Sequence, residues 1–169
     1  MIRLTQEYLK QVFDYDPVSG ILSYAKNMRP RGKIGQEAGW VNARGYRRVN
    51  LHGKEYAAHV LIWFWMTGSF PPQDIDHIDG NRSNNIWLNL RLASRSQNLR
   101  NQGKKTNNTS GFKGVTSRGN SHSVRFRVDG QVIHIGSYST AEEAAAVYDR
   151  EVVKHQGCFA KTNKALGLL

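Results

Sequence analysis

Asp76-His77-Ile78-Asp79-Gly80-Asn81, then Asn89-Leu90-Arg91-Leu92 and Ser94-Arg95-Ser96-Gln97-Asn98, is the stretch on which the reading of this chain turns. The Asp-Gly pair is turn chemistry, and Arg91 to Ala93 can return as a strand. Ser94 and Gln97 have the spacing of a capping box, so a helix starts there and Asn98 falls in its first turn. Carboxylate and amide oxygens suit a hard divalent cation. An imidazole beside them can take a proton from water near neutral pH. Carboxylate, imidazole and a later amide are the groups that metal-assisted phosphodiester cleavage requires. Neighbours in a regular strand point to opposite faces. Asp76 and His77 can therefore serve one centre only if the strand ends or bulges there.

The string resembles the HNH (His-Asn-His) endonuclease motif, in the variant whose last histidine is an asparagine. Asp76, His77, Asn89 and Asn98 match in order, with Asp-Gly-Asn and Asn-Leu-Arg between them. The resemblance implies a ββα-metal module, a hairpin followed by a helix, around one Mg²⁺ or Mn²⁺. It implies that Asp76 and Asn98 bind the metal and that His77 is the general base. Asn89 would hold the hairpin loop, and with it His77, in place. Products would carry 5′-phosphate and 3′-hydroxyl ends. A histidine at the place of His59 also recurs in that family. It could touch the cleaved phosphate or cap its helix, and a structural role is the expectation.

The remaining composition agrees. The chain has 169 residues, room for one domain or two small ones, and 39% of them are apolar. Twenty-four Lys and Arg against 13 Asp and Glu leave a net charge of +11, which favours a polyanionic partner. The single cysteine, Cys158, rules out an internal disulfide or a cysteine zinc site, and is expected to pack near a turn. The first residues lack the apolar core of a signal peptide, and the apolar run Val60 to Met66 is too short for a bilayer.

Before the motif, Thr5 is placed to cap a short helix through Phe13, and Ile21 to Tyr24 to form a strand. Residues 26 to 54 are basic, with Glu37 the only acid among them. Trp40-Val41, a turn at Asn42 to Gly45 and Tyr46 to Leu51 read as a hairpin, with a second turn at His52-Gly53-Lys54. Its arginines, Arg44, Arg47 and Arg48, are expected to contact DNA, against the plainer reading of a solvated face. Ala57 to Gly68 reads as a helix, and Trp63, Trp65 and Trp87 as core.

After the motif, Asn101 to Ser110 has no apolar period and reads as a linker in which Lys104 and Lys105 could hold phosphates. Three strands are expected at Phe112 to Val115, His122 to Val128 and Val132 to Ile135, with a turn at Asp129-Gly130. Thr140-Ala141-Glu142-Glu143 reads as a capping box opening a helix to about His155. Gly114-Val115, Ile135-Gly136-Ser137-Tyr138, Thr140 to Ala145, Tyr148-Asp149 and Asn163 resemble the DNA-binding domain of plant ethylene-response factors. That resemblance implies a three-stranded sheet in the major groove, with Lys113, Arg118, Arg125, Arg127 and His134 at matching positions. His122 and His134 replace groove-facing tryptophans, so no sequence preference carries over.

The expected architecture is therefore α+β: a nuclease region over 1–100, a linker over 101–110 and a small sheet packed on one helix over 111–169. The expected activity is that of a site-directed DNA endonuclease of phage homing type, acting on double-stranded DNA in the cytoplasm of a bacterial host. No membrane and no obligate protein partner is implied. Nicking by a monomer is the simpler expectation, and a double-strand break would need a dimer or two sequential cuts. The alternative is a DNA-binding regulator that keeps an inert HNH scaffold.

Overall fold

In the computed structural model, which describes residues 4–28, 32–128 and 130–169, Thr5 caps the first helix as its sequence position suggests. Its side chain accepts from the Tyr8 N–H at 3.1 Å, opening α1 (Gln6–Val12). Phe13 then leaves the helix for β1 (Phe13–Tyr15), which pairs antiparallel with β2 (Leu22–Tyr24). Next comes a three-stranded meander: β3 (Trp40–Val41), β4 (Arg47–Leu51) and β5 (Lys54–Ala57). Arg29 and Arg31, two cations of the basic run over 26–54, lie outside the described residues.

Helix α2 (Ala58–Thr67) has no side-chain cap at its start and ends on Gly68, which adopts φ 78° as few residues other than glycine can. It buries Leu61, Ile62 and Phe64 against Leu9, Val12 and Phe13 of the first elements. Val49 and Leu51 of β4 close the same core. Trp63, Trp65 and Trp87 pack on it, as expected, and the Trp65 indole donates to the Phe13 carbonyl at 3.0 Å. Against this support lies the hairpin of β6 (Asp74–His77) and β7 (Leu90–Ala93). Its register is regular, with Asp76 opposite Arg91 and His77 opposite Leu90. β6 ends on His77, and the turn of the loop follows directly.

The chain divides into two compact units, the first ending at Ala93 and the second running from Ser94 to Leu169. The expected break at 101–110 therefore sits inside the second unit. Within that unit the Lys113 ammonium donates to the carbonyls of Arg100 at 2.7 Å and Gln102 at 2.6 Å and so ties the end of the motif helix to the entry of the C-terminal sheet.

The second unit opens with α3 (Arg95–Arg100), where both halves of the Ser94/Gln97 capping box form. Its sheet has the order β10-β9-β8, from β8 (Val115–Arg118), β9 (Ser121–Val128) and β10 (Gln131–Tyr138). The expected turn at Asp129-Gly130 falls partly on Asp129, outside the described residues. The first strand starts three residues later than expected. Gly114, at φ 77°, lies flat against the Tyr148 ring, where any Cβ would collide, so the chain becomes extended only after it. Helix α4 (Ala141–Gln156) packs Ala144, Ala145, Tyr148 and Val152 on Val115, Val124 and Phe126. The alternation of β9 holds: Val124 and Phe126 are buried, Arg125 and Arg127 exposed. At the start of α4 only half of the expected box forms. Thr140 accepts from the Glu143 N–H at 3.2 Å, but the Glu143 carboxylate accepts from the Ser139 hydroxyl. Cys158 is exposed rather than packed.

Asn163, fully buried, fastens the end of the chain to this unit. Its amide oxygen accepts from the Lys113 N–H at 2.7 Å, and its Nδ2 donates to the Lys113 carbonyl at 3.1 Å and to Asp149 Oδ1 at 3.0 Å. Asn163→Ala strands a buried backbone N–H and carbonyl at once, at a cost of about 3 kcal/mol. Hydrogen exchange is expected to show that loss in the amides of β8 to β10 and not in those of β4.

Candidate active site

The loop between β6 and β7 is built by side chains standing in for backbone. The Asp79 carboxylate accepts from the Asn81 N–H at 2.7 Å and from the Asn84 and Asn89 amides at 2.7 and 3.0 Å. Asn89 also accepts the Asp79 N–H at 3.0 Å and donates to the Asn84 carbonyl at 2.8 Å. Asn89 thus binds loop backbone, and Asp79 is a turn anchor.

The loop presents two buried side chains, Asp76 and His77, each 4% exposed. Asp76 Oδ2 accepts from the Arg91 guanidinium twice, from Nε at 2.9 Å and Nη2 at 2.7 Å. The two residues are directly opposite in the hairpin, so register alone brings them together. His77 Nε2 lies 3.1 Å from the amide oxygen of Asn85, itself buried. The His77 ring meets His59 edge-on at 5.1 Å between centroids, and Tyr46 packs on both rings. Burial pushes the His77 imidazole below its ordinary range; Asn85, Asp79 and Asp76 oppose that, and Arg82 adds to it. The net shift favours the neutral ring.

His59 is a wall of this site and not a helix cap. Burial, then the neighbouring His77 and Arg48, lower it to about 3. In the unfolded chain it would take up a proton near pH 6.5. The unfolded state thus binds more protons between those values, and this part of the stability, full above about pH 6.5, is lost as pH falls toward 3. All four tryptophans belong to the first unit, so urea midpoints read by their fluorescence are expected to fall over this window. His59→Leu should make the fall shallower.

A model of the HNH endonuclease family matches residues 56–100, the span from β5 to the end of α3. Over 83 residues the chain is 37% identical to Protein 3.8 of Escherichia phage T7, covering 41% of this chain and 69% of that one. The chain belongs to the HNH endonuclease family. An uncharacterized HNH endonuclease, L560, of Acanthamoeba polyphaga mimivirus is 36% identical over 108 residues, 63% of this chain and 56% of that protein. The HNH chain thus spans only about half of the mimivirus relative. A solved structure of DNA binding and cleavage by the HNH homing endonuclease I-HmuI aligns with a TM-score of 0.40 at 20% identity, over 85% of this chain and 84% of that one.

Within the HNH chain, the expected site residues separate into three groups. Asp76, His77 and Asn89 lie together in the hairpin of the first unit. Asn98 is carried by α3 of the second unit, half-buried, with its N–H donating to the Ser94 carbonyl at 2.9 Å. The basic residues differ in the partners the fold gives them. Arg47 pairs with Glu37 at 2.8 Å and reaches the Ala38 and Gly39 carbonyls, and Arg48 pairs with Glu55 at 2.6 Å. The ribbon's charge is therefore not unopposed, because Glu55 comes directly after the basic run. Lys113 serves carbonyls, with burial and Lys161 pushing it down to about 8 against the pull of Asp149. Arg44, Lys104, Lys105, Arg118, Arg125, Arg127 and His134 are exposed. Arg125 stands opposite His134 across the β9–β10 ladder.

Among the described residues, no three His, Cys, Asp or Glu side chains gather as a metal cluster. A carboxylate or amide oxygen is by its chemistry a donor for a hard cation. Also among the described residues, no helix is long and apolar enough to cross a membrane. Reading by spacing gave no role to Asn85, Arg91, Tyr46 or Arg82. Arg82 Nη1 donates to the Arg44 carbonyl at 3.0 Å, and its guanidinium lies 5.1 Å from the Tyr46 ring centre.

Proposed function

We propose that the chain is a divalent-metal-dependent DNA endonuclease of homing type. The observation that carries this reading is a buried His77 at the end of β6, next to an Asp76 held by two guanidinium bonds, inside the segment matched to the HNH family. Asp76 and the amide oxygen of Asn98 would hold one Mg²⁺ or Mn²⁺. When bound, that ion supplies positive charge against the scissile phosphate and the departing 3′ oxygen. His77 takes the proton of the attacking water on the neutral ring. Asn89 keeps the loop closed around it, and Arg91 fixes the carboxylate. The ends left are 5′-phosphate and 3′-hydroxyl.

Affinity comes from elsewhere, because two protein oxygens bind a cation weakly. We assign it to the exposed cations, Arg44, Lys104 and Lys105 on phosphates, and Arg118, Arg125, Arg127 and His134 on the outer face of the second unit's sheet. An arginine aimed at a guanine edge adds about 1–3 kcal/mol of discrimination. Arg125→Ala with Arg127→Ala is therefore expected to weaken binding in a gel shift at least about tenfold while the rate at saturating DNA stays near wild type. The phage and giant-virus relatives support a mobile or phage-borne gene acting in a host cell. Mapping both strands of cleaved phage or host DNA tests the reading. One nick at a preferred position supports a monomeric site-directed enzyme, and random or absent cleavage counts against it.

A further inference from the structure

Asn85 lies outside the set of residues that spacing singles out, yet it is 3% exposed and its amide oxygen is 3.1 Å from Nε2 of His77. Its backbone is gripped from two sides. On one, Asn89 Nδ2 donates to the preceding carbonyl, that of Asn84, at 2.8 Å. On the other stands the turn joining β1 to β2, some seventy residues earlier. The Tyr15 hydroxyl donates to the Asn85 carbonyl at 2.7 Å, and the Trp87 N–H donates to the Pro17 carbonyl at 3.1 Å. Gly20, at φ 75°, lies so close that a Cβ there would sit 2.6 Å from the Asn85 carbonyl carbon. These residues, 15 to 20, precede the segment matched to the family model.

We propose that Asn85 is a positioning residue that sets the tautomer of His77, and that the Tyr15–Gly20 turn holds Asn85 in register for it. The inference rests on His77 being the base. A neutral imidazole carries one N–H, and an oxygen opposite Nε2 places the proton there and the lone pair on Nδ1. An amide turned the other way would put its NH₂ against Nε2 and the proton on Nδ1, the wrong nitrogen to act. The energetic stake is known from another base histidine, where the wrong tautomer lowers the rate on the order of 10⁴-fold. The first unit's N-terminal hairpin is then part of the catalytic apparatus and more than a buttress: it sets the plane and height of the peptide from which the acceptor projects. Tyr15 suits this task because its hydroxyl is buried and stays protonated, burial and Asp16 raising it to about 12.

The test is nitrogen NMR of the histidine rings in the full chain, beside plasmid-nicking kinetics. Wild type should show His77 protonated on Nε2. Asn85→Asp keeps an oxygen acceptor and should keep that proton. Asn85→Leu, of similar size with no acceptor, should lose the single tautomer and lower kcat about 100-fold, with KM within about threefold. Tyr15→Phe deletes only the hydroxyl and should lower kcat a few-fold with KM unchanged, which guards against a misfolded Asn85→Leu. A wild-type ring protonated on Nδ1, or an Asn85→Leu chain with wild-type kcat and an unaltered ring, overturns the proposal. Should the wild type cleave no DNA, the nuclease reading fails on its own, and the ring spectra still decide the Asn85 contact.

Discussion

His77→Ala is expected to lower DNA nicking on the order of 10³-fold while gel-shift affinity stays within about threefold of wild type. The split arises from where the groups lie. His77 is buried at the end of a two-stranded hairpin, whereas the exposed cations available to a duplex lie on other elements. Removing the ring takes away the proton acceptor and leaves those cations in place. The fold should survive, because the loop is closed by Asp79, Asn84 and Asn89 and not by the imidazole. Parallel loss of binding and cleavage would mean that His77 contributes to DNA affinity or to folding, and would remove its assignment as a base. The same pair of assays decides against the regulator reading, which requires binding without cleavage in the wild type.

Asp76→Ala should have two separable effects. Cleavage is expected to be lost with the oxygen proposed to bind the metal, and stability to fall by about 3–5 kcal/mol because the Arg91 guanidinium, 16% exposed, loses the carboxylate beside it. Replacing both partners, Asp76→Leu with Arg91→Met, removes the uncompensated charge along with the pair and is expected to recover most of that stability. Cleavage should not recover in the double variant. Urea unfolding followed by tryptophan fluorescence gives the first quantity and plasmid nicking the second. Recovery of both would show that Asp76 acts only through Arg91.

Much of this is legible in the sequence, for local reasons. The Thr5 cap, the Ser94/Gln97 box and the Gly68 stop are set by residues three or four apart, and each forms where its chemistry places it. The alternation of β9 likewise needs only a period of two. What escaped is what tertiary register decides. Arg91 meets Asp76 because the hairpin pairs those positions, and Asn85 meets His77 because a distant turn lifts its backbone. Arg47 and Arg48 carried the same charge on paper as Arg44, but folding placed Glu37 and Glu55 against them. Lys113 matches a groove-facing position of the resembled domain, and nothing local in the sequence announces that its ammonium donates to the carbonyls of Arg100 and Gln102. Charge counting assigns a partner class; only the fold shows which cations already hold a carboxylate or a carbonyl.

Incubating supercoiled plasmid with the purified full chain, with Mg²⁺ or Mn²⁺ and separately with EDTA, puts the central claim most directly at risk. Relaxed circles should form only with the metal, and their new 5′ ends should accept a kinase label only after phosphatase treatment. Cleavage that proceeds equally in EDTA, or none across a broad set of DNAs with either metal, would contradict the account.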